Sequence, residues 1–199
     1  FVFEGKSSDA MGQFYAKGDI VVSAGAELFI KGAVAGAGRR VELCEGSVLR
    51  LEDNFITPST GGWNCGVTFD NISGSGEIIG ETGTKTSQIQ LKQTYDVPQF
   101  TGTASGNLRI AFSVDATKTY YPFIIQRADQ FADMKYFRAP GAYLQFAAGI
   151  GTFNIGIDGS SAGTVYAQDV NGDPIRLNVR TLNNWAASYA GAGEVRFVG

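Results

Sequence analysis

Short runs in which apolar and polar residues alternate recur along most of this chain, which is the pattern of β-strands. The most regular part lies near the start, where residues 20–30 and 41–51 match position by position at a shift of 21 residues. Leu28 then corresponds to Leu49, and both copies carry a glycine at the same place. Each copy predicts two short strands joined at a small residue, with one apolar face.

A third, weaker copy covers residues 72–79, after an insertion that contains Pro58 and Trp63. Its Glu77 corresponds to Glu27 of the first copy. A repeat of about 20 residues with glycine at a corner is typical of a β-solenoid, in which each coil buries its inner face on the next. Two similar β-hairpins in a sandwich are the alternative. We therefore expect residues 1–85 to form a solenoid-like or hairpin-repeat unit.

The pattern changes after Ser87, where strand-like runs arrive about every ten residues with Gly, Asn and Asp between them. This spacing predicts an antiparallel, jelly-roll-like β-sandwich over residues 86–199. The segment 71–85 is rich in Gly, Ser and Thr, so the domain boundary is placed near residue 85. Asn171-Gly172 between two alternating runs predicts a hairpin over residues 165–179 with a type I′ turn.

Two short helices are also predicted. Apolar residues recur at helical spacing between Leu182 and Tyr189, Thr181 precedes them as an N-cap, and Gly191 follows as a C-cap. The second helix would span residues 127–136. Both would cover an end or an edge of the β-structure and limit edge-to-edge aggregation.

Composition narrows the possible functions. The 199 residues are 44% hydrophobic and 18% charged, with a net charge of −3, which argues against a disordered chain and against a basic nucleic-acid-binding surface. Histidine is absent, so the usual general base and the commonest metal ligand are missing. The apolar runs are too short to span a bilayer. We predict no catalytic residue, cofactor, metal site, nucleic-acid partner or membrane span.

The two cysteines, Cys44 and Cys65, are also separated by 21 residues. In a solenoid of strict register they would stack in adjacent coils, which makes a disulfide possible. The insertion just before Cys65 disturbs that register. Two buried thiols that act as small hydrophobic side chains are the equal alternative.

Aromatic residues crowd the segment from Tyr120 to Phe146. Such rings pack cores, dominate protein interfaces and stack on sugars, and the sequence leaves all three roles open. A sugar-binding role predicts an exposed coplanar pair among Tyr120, Tyr121, Tyr136 and Tyr143. The candidates for an interface or for sugar stacking are Tyr120, Tyr121, Tyr136, Phe137 and Tyr143.

Two groups of carboxylates are candidate chemical sites. Asp169-x-Asn171-x-Asp173 begins like a calcium-binding loop but lacks the glycine and the bidentate glutamate that should follow, which favours a polar turn. The acidic residues in segments 42–45 and 52–54 fit a glycosidase pair only if they share a cleft. A solvated outer face is the simpler interpretation.

The repeat at residues 20–30 and 41–51, together with the hairpin at 165–179, resembles the architecture of bacteriophage virion structural proteins such as head decoration proteins, head fibres and tail appendages. The resemblance implies a non-enzymatic structural subunit on a virion or an extracellular surface. It would form homo-oligomers and contact other virion or surface proteins. A carbohydrate-binding module or adhesin for a host glycan is the alternative, and a polysaccharide-degrading enzyme is the second alternative.

Overall fold

The computed structural model describes residues 2–4, 12–14, 18–31, 34–36, 40–52, 67–82, 87–112, 119–131, 136–138, 144–157, 163–181 and 187–198. These residues form strands, turns and bends, with no helix among them. The prediction of an all-β protein is therefore confirmed. In chain order the strands are β1 (Val2–Glu4), β2 (Gly12–Phe14), β3 (Ile20–Val22), β4 (Glu27–Lys31), β5 (Val34–Gly36), β6 (Arg40–Leu43), β7 (Val48–Glu52), β8 (Val67–Phe69), β9 (Asn71–Gly74), β10 (Glu77–Ile79), β11 (Ser87–Leu91), β12 (Thr103–Ser105), β13 (Leu108–Phe112), β14 (Phe123–Ile125), β15 (Tyr136–Arg138), β16 (Leu144–Phe146), β17 (Thr152–Ile157), β18 (Gly163–Tyr166), β19 (Arg176–Thr181), β20 (Ala187–Ala190) and β21 (Glu194–Phe197).

Every ladder between these strands is parallel. The chain passes from β3 through β4 to β5, then repeats the course one layer further on as β6, β7 and β8. In this course β3 pairs with β6 and β4 with β7, while β5 lies next to β8. Because strands of successive turns stack in register, the fold is a β-solenoid.

Two sheets contain most of the strands. One has five strands in the order β1-β4-β7-β10-β12, and the other has seven in the order β21-β19-β17-β15-β13-β11-β8. Shorter sheets are β3-β6-β9, β14-β16, β18-β20 and β2-β5. Along the seven-stranded sheet the strands follow one another in reverse chain order. This is expected when neighbouring strands come from successive turns of the solenoid.

The repeat has the register that its sequence predicts. Ile20 faces Val41 and Leu28 faces Leu49 across the ladders, and Ile78 of the third copy also lies beside Leu49. At the corners Gly25 and Gly46 both have φ near +73°, a conformation that side chains with a Cβ rarely adopt. The solenoid interpretation of the first third is confirmed, and the conserved corner conformation explains why both copies carry glycine there.

The core is a stack of inward side chains from successive turns. Leu43, Leu49, Leu51 and Ile110 are fully buried. Further along, the rings of Phe100, Phe123 and Phe131 form a cluster with centroids 5.8–6.4 Å apart. Such contacts add to the apolar burial that stabilises each turn on its neighbours.

The predicted antiparallel sandwich over residues 86–199 is wrong. The strands of this part pair in parallel, as in β11 with β13 and β17 with β19. A solenoid turn of about 20 residues that contains two or three strands also places a strand about every ten residues, so the spacing could not separate the two folds. The boundary near residue 85 stays a prediction, and β8 and β10 pair across it with β11 and β12.

The two predicted helices are also wrong where they fall on described residues. Ala187–Ala190 is strand β20, which pairs with β18, while residues 182–186 lie outside the described part. Residues 128–131 form a turn and Tyr136 begins β15. Pairing with a preformed neighbouring strand outweighs the weak intrinsic preference of these residues for a helix.

The predicted hairpin at 165–179 is corrected in part. A tight turn does occur at Asn171-Gly172, where Gly172 has φ +86°. It is not a type I′ turn, because Gln93 alone among the described non-glycine residues has positive φ. Next to the turn the two arms do pair, because Gln168 and Pro174 form an antiparallel bridge and the N–H of Ile175 donates to the carbonyl of Ala167 at 3.2 Å. The pairing ends there, since β18 pairs with β20 and β19 pairs with β17 and β21.

Candidate functional site

The aromatic segment divides between the core and the surface. Phe123, Phe131 and Phe146 are buried in the core. Tyr120 and Tyr121 are half-buried. Tyr136 and Phe137 lie in β15, for which the structure describes the backbone and not the side chains. Tyr143 lies outside the described residues.

Tyr120 lines a groove of about 290 Å³ on the outer surface. The groove extends over β16, β18 and the turn that follows β18. We call it the tyrosine groove, and the described residues that line it are Tyr120, Leu144, Gln145, Tyr166, Gln168, Asp169 and Val170.

Strand alternation positions these side chains. In β18 and its extension Val165 and Ala167 are buried, so Tyr166 and Gln168 point outward, and Tyr166 is 43% exposed. In β16 the buried Leu144 and Phe146 likewise leave the intervening Gln145 half-exposed on the outer face. Two tyrosine rings and two amide groups are thereby brought to one surface.

The turn at one end of the groove is fixed by Asp169. Its Oδ1 accepts hydrogen bonds from the backbone N–H groups of Asn171 at 2.8 Å and Asp173 at 3.0 Å. The N–H of Val170 donates to the carbonyl of Phe146 at 2.8 Å, which ties the turn to β16. This geometry is that of an Asx turn, and it supports the interpretation of the sequence D-x-N-x-D as a polar turn.

The other predicted carboxylates lie on outer faces. Glu42 and Glu45 are exposed and Glu52 is half-buried, while residues 53 and 54 are outside the described part. Within the described residues, no group of three or more Asp, Glu, Cys or His side chains is placed to hold a metal ion. Cys44 is half-buried and Cys65 is not described, so a disulfide between them stays a prediction.

Ion pairs on the outer faces link successive turns. Arg40 pairs with Asp19 and Arg50 with Glu27, each across one layer. The hydrogen bond and charge of Asp19 raise the pKa of Arg40 above its ordinary value. These arrangements satisfy charges between neighbouring strands and leave the guanidinium groups in contact with solvent.

A similar network lies on the last two strands of the seven-stranded sheet. Glu194 accepts hydrogen bonds from Arg196 at 2.7 Å and from Arg176 at 2.8 Å. Both bonds lower the pKa of Glu194, and the bond from Arg196 has the larger effect. Nearby, burial raises the pKa of the Tyr189 hydroxyl, and its ring meets that of Phe197 edge-on at 5.9 Å.

A second surface feature is apolar. Val21, on the outer face of β3, is 58% exposed. It belongs to a shallow groove of about 320 Å³, which we call the β3 groove, lined by Ile20, Val21, Val22, Ser23, Ala26, Glu27 and Leu28.

Sequence reasoning named Tyr120 but missed Tyr166. A signal was present, because Tyr166 stands between the small or apolar residues Val165 and Ala167 in an alternating strand. The sequence pattern does not show that β16 and β18 lie side by side, because their proximity follows from the stacking of turns.

Among the described residues there is no helix of the length and apolarity needed to cross a membrane. No family model, curated protein or solved structure matches this chain.

Proposed function

We propose that this chain is a non-enzymatic structural module of a virion or an extracellular surface assembly, which acts through contacts with other copies of itself and with other surface proteins. The supporting observation is the parallel solenoid, with ladders that follow one another from β1 to β21. Each turn buries its inner face on its neighbours, so the stack gains stability from repeated local burial. This architecture suits a rigid element.

Contacts between subunits are favoured where an exposed apolar surface can be removed from water. The β3 groove is such a surface, since Val21 is exposed beside the apolar side chains of Ile20 and Leu28. Glu27 is the one charged residue in its described lining and is already paired with Arg50. A mainly apolar patch of this kind, with its one charge paired, fits the same patch of a second copy, as in a closed symmetric oligomer.

The test is the mass of the native particle, measured by light scattering after size exclusion. We expect a trimer or a larger assembly. Val21→Asp should shift the mass toward the monomer, because a carboxylate would be buried without a partner. Val170→Asp is the matched control, since Val170 is comparably exposed on another surface, and it should leave the mass unchanged. A wild-type monomer at all concentrations contradicts the proposal.

A further inference from the structure

We propose that the tyrosine groove is a binding site for a neutral saccharide, with Tyr120 and Tyr166 as stacking platforms and Gln145 and Gln168 as hydrogen-bonding partners. This inference goes beyond the proposed assembly role and does not depend on it. It concerns a different surface from the β3 groove, so the two can succeed or fail separately.

The chemistry of the lining selects the ligand. A sugar ring has an apolar C–H face and a rim of hydroxyl groups that both donate and accept hydrogen bonds. Tyrosine offers an apolar ring face with a polar tip, and a glutamine amide offers both donors and an acceptor. The described lining combines two such rings with two such amides, which satisfies both sides of a sugar ring.

The charge of the lining indicates that the saccharide is uncharged. Of the described residues around the groove, none is Lys or Arg, and Asp169 is the one acid. Its side chain is buried, and Oδ1 already accepts two backbone N–H groups at 2.8 and 3.0 Å. A carboxylated or sulfated sugar would meet no positive charge and would lose hydration without compensation.

The size and construction of the groove also fit this class. Its volume of about 290 Å³ is near the lower end of small-molecule sites, enough for one or two sugar rings with the rest of a chain outside. The outward residues of β16 and β18 alternate with buried neighbours, and Val170 is hydrogen-bonded to Phe146. The backbone that carries the lining is therefore held in place before a ligand binds, which favours affinity for a small polar ligand.

The experiment uses the whole chain and five neutral probes: the hexasaccharides of β-1,4-glucose, β-1,4-N-acetylglucosamine, β-1,4-mannose, β-1,4-xylose and α-1,4-glucose. Saturation-transfer NMR detects weak binding, and calorimetry measures its affinity. We expect at least one neutral probe to bind, and we expect the hexamer of galacturonic acid to displace it poorly. Absence of a signal for all five, or preference for the anionic hexamer, overturns the proposal.

Variants then locate the site. Tyr166→Ala should weaken binding roughly tenfold through loss of one stacked ring, whereas Tyr166→Phe should retain most of the affinity. Tyr95→Ala is the matched control, because Tyr95 is an exposed tyrosine away from the groove, and it should change nothing. Since Tyr166 is exposed, the variants should keep the wild-type unfolding midpoint. Binding that survives Tyr166→Ala overturns the assignment to this groove, even where a sugar binds elsewhere.

Discussion

Three glycines of the solenoid differ in what surrounds them, and this difference predicts how each tolerates a side chain. Gly74 has φ +90°, and the carbonyl of Leu43 occupies the place where its Cβ would stand. Gly25 has φ +73° but open space around it. Gly151 has open space and no positive φ. A side chain at Gly74 therefore meets both a steric clash and an unfavourable backbone conformation. At Gly25 it meets only the unfavourable conformation, and at Gly151 it meets neither.

We expect Gly74→Ala to lower the free energy of unfolding the most. Gly25→Ala should cost about 1–2 kcal/mol for the left-handed conformation alone, and Gly74→Ala should cost a further ~1–3 kcal/mol because the backbone of Leu43 must shift. Gly151→Ala should be close to neutral. Urea denaturation checks this order, and equal losses for Gly74→Ala and Gly25→Ala would show that the Leu43 carbonyl can move freely.

Asp70 predicts a second effect at the residue scale. Its carboxylate is buried and accepts hydrogen bonds from the Thr94 backbone N–H at 2.7 Å and from the Thr94 hydroxyl at 2.8 Å. Asp70→Ala should cost ~1–3 kcal/mol because the N–H of Thr94 loses its acceptor. The control is Asp129→Ala, which removes an exposed carboxylate paired with Arg127 and should cost less than about 1 kcal/mol. Thermal or urea unfolding distinguishes the two, and a similar small loss for both would contradict a structural role for Asp70.

At the scale of elements, the strands and their pairing are predictable from the sequence where a regular repeat sets which strands pair. The matched residues around Gly25 and Gly46 predicted the strands, their corner and their register, because a fixed shift places the same side chain on the same face of each turn. Beyond Ser87 the shifts between paired strands vary, from 18 residues for β19 with β21 to 27 for β13 with β15. Without a constant period, spacing alone indicated a sandwich.

The candidate site shows the same limit. Tyr120 was identifiable from a dense aromatic segment, but its partner Tyr166 lies far along the chain. Their proximity depends on which turns stack, and that information is not local. The helix expected near Tyr189 failed for a related reason, since β18 supplies a parallel partner for Ala187–Ala190 that intrinsic propensity does not register.

The charged network that joins β19 to β21 predicts a pH effect. Because Arg196 and Arg176 lower the pKa of Glu194, the charged carboxylate is favoured in the folded chain. Its contribution to stability is present above the ordinary glutamate pKa and is lost as the pH falls through the lowered pKa. The contribution should be small because the group is on the surface.

An NMR titration of the Glu194 carboxyl carbon measures this shift directly. The midpoint should lie below that of an ordinary glutamate, and Arg196→Gln should raise it more than Arg176→Gln. Arg127→Gln removes a charge from a distant ion pair and should leave the midpoint where it was. An unperturbed Glu194 midpoint in the wild-type chain contradicts the network.

At the scale of the whole molecule, a solenoid should not unfold as a uniform unit. Each turn contacts only its neighbours, so stability is close to a sum of local terms. β13 has β11 on one side and β15 on the other, whereas β21 forms the edge of the same sheet and pairs with β19 alone. We therefore expect amide hydrogen exchange to be slowest in and around β13 and faster in β21, because β21 can open without disturbing the rest.

Ile110→Ala tests how far a local loss travels. Ile110 lies in β13 and is fully buried, so its truncation should cost ~2–5 kcal/mol. In a stack coupled between nearest neighbours, exchange in β11, β13 and β15 should accelerate strongly while exchange in β21 changes little. If all protected amides accelerate by the same factor, the chain unfolds as a single cooperative body and nearest-neighbour coupling is the wrong description. A graded response would mean that damage stays near the altered turn, a property suited to a structural module whose ends keep their contacts.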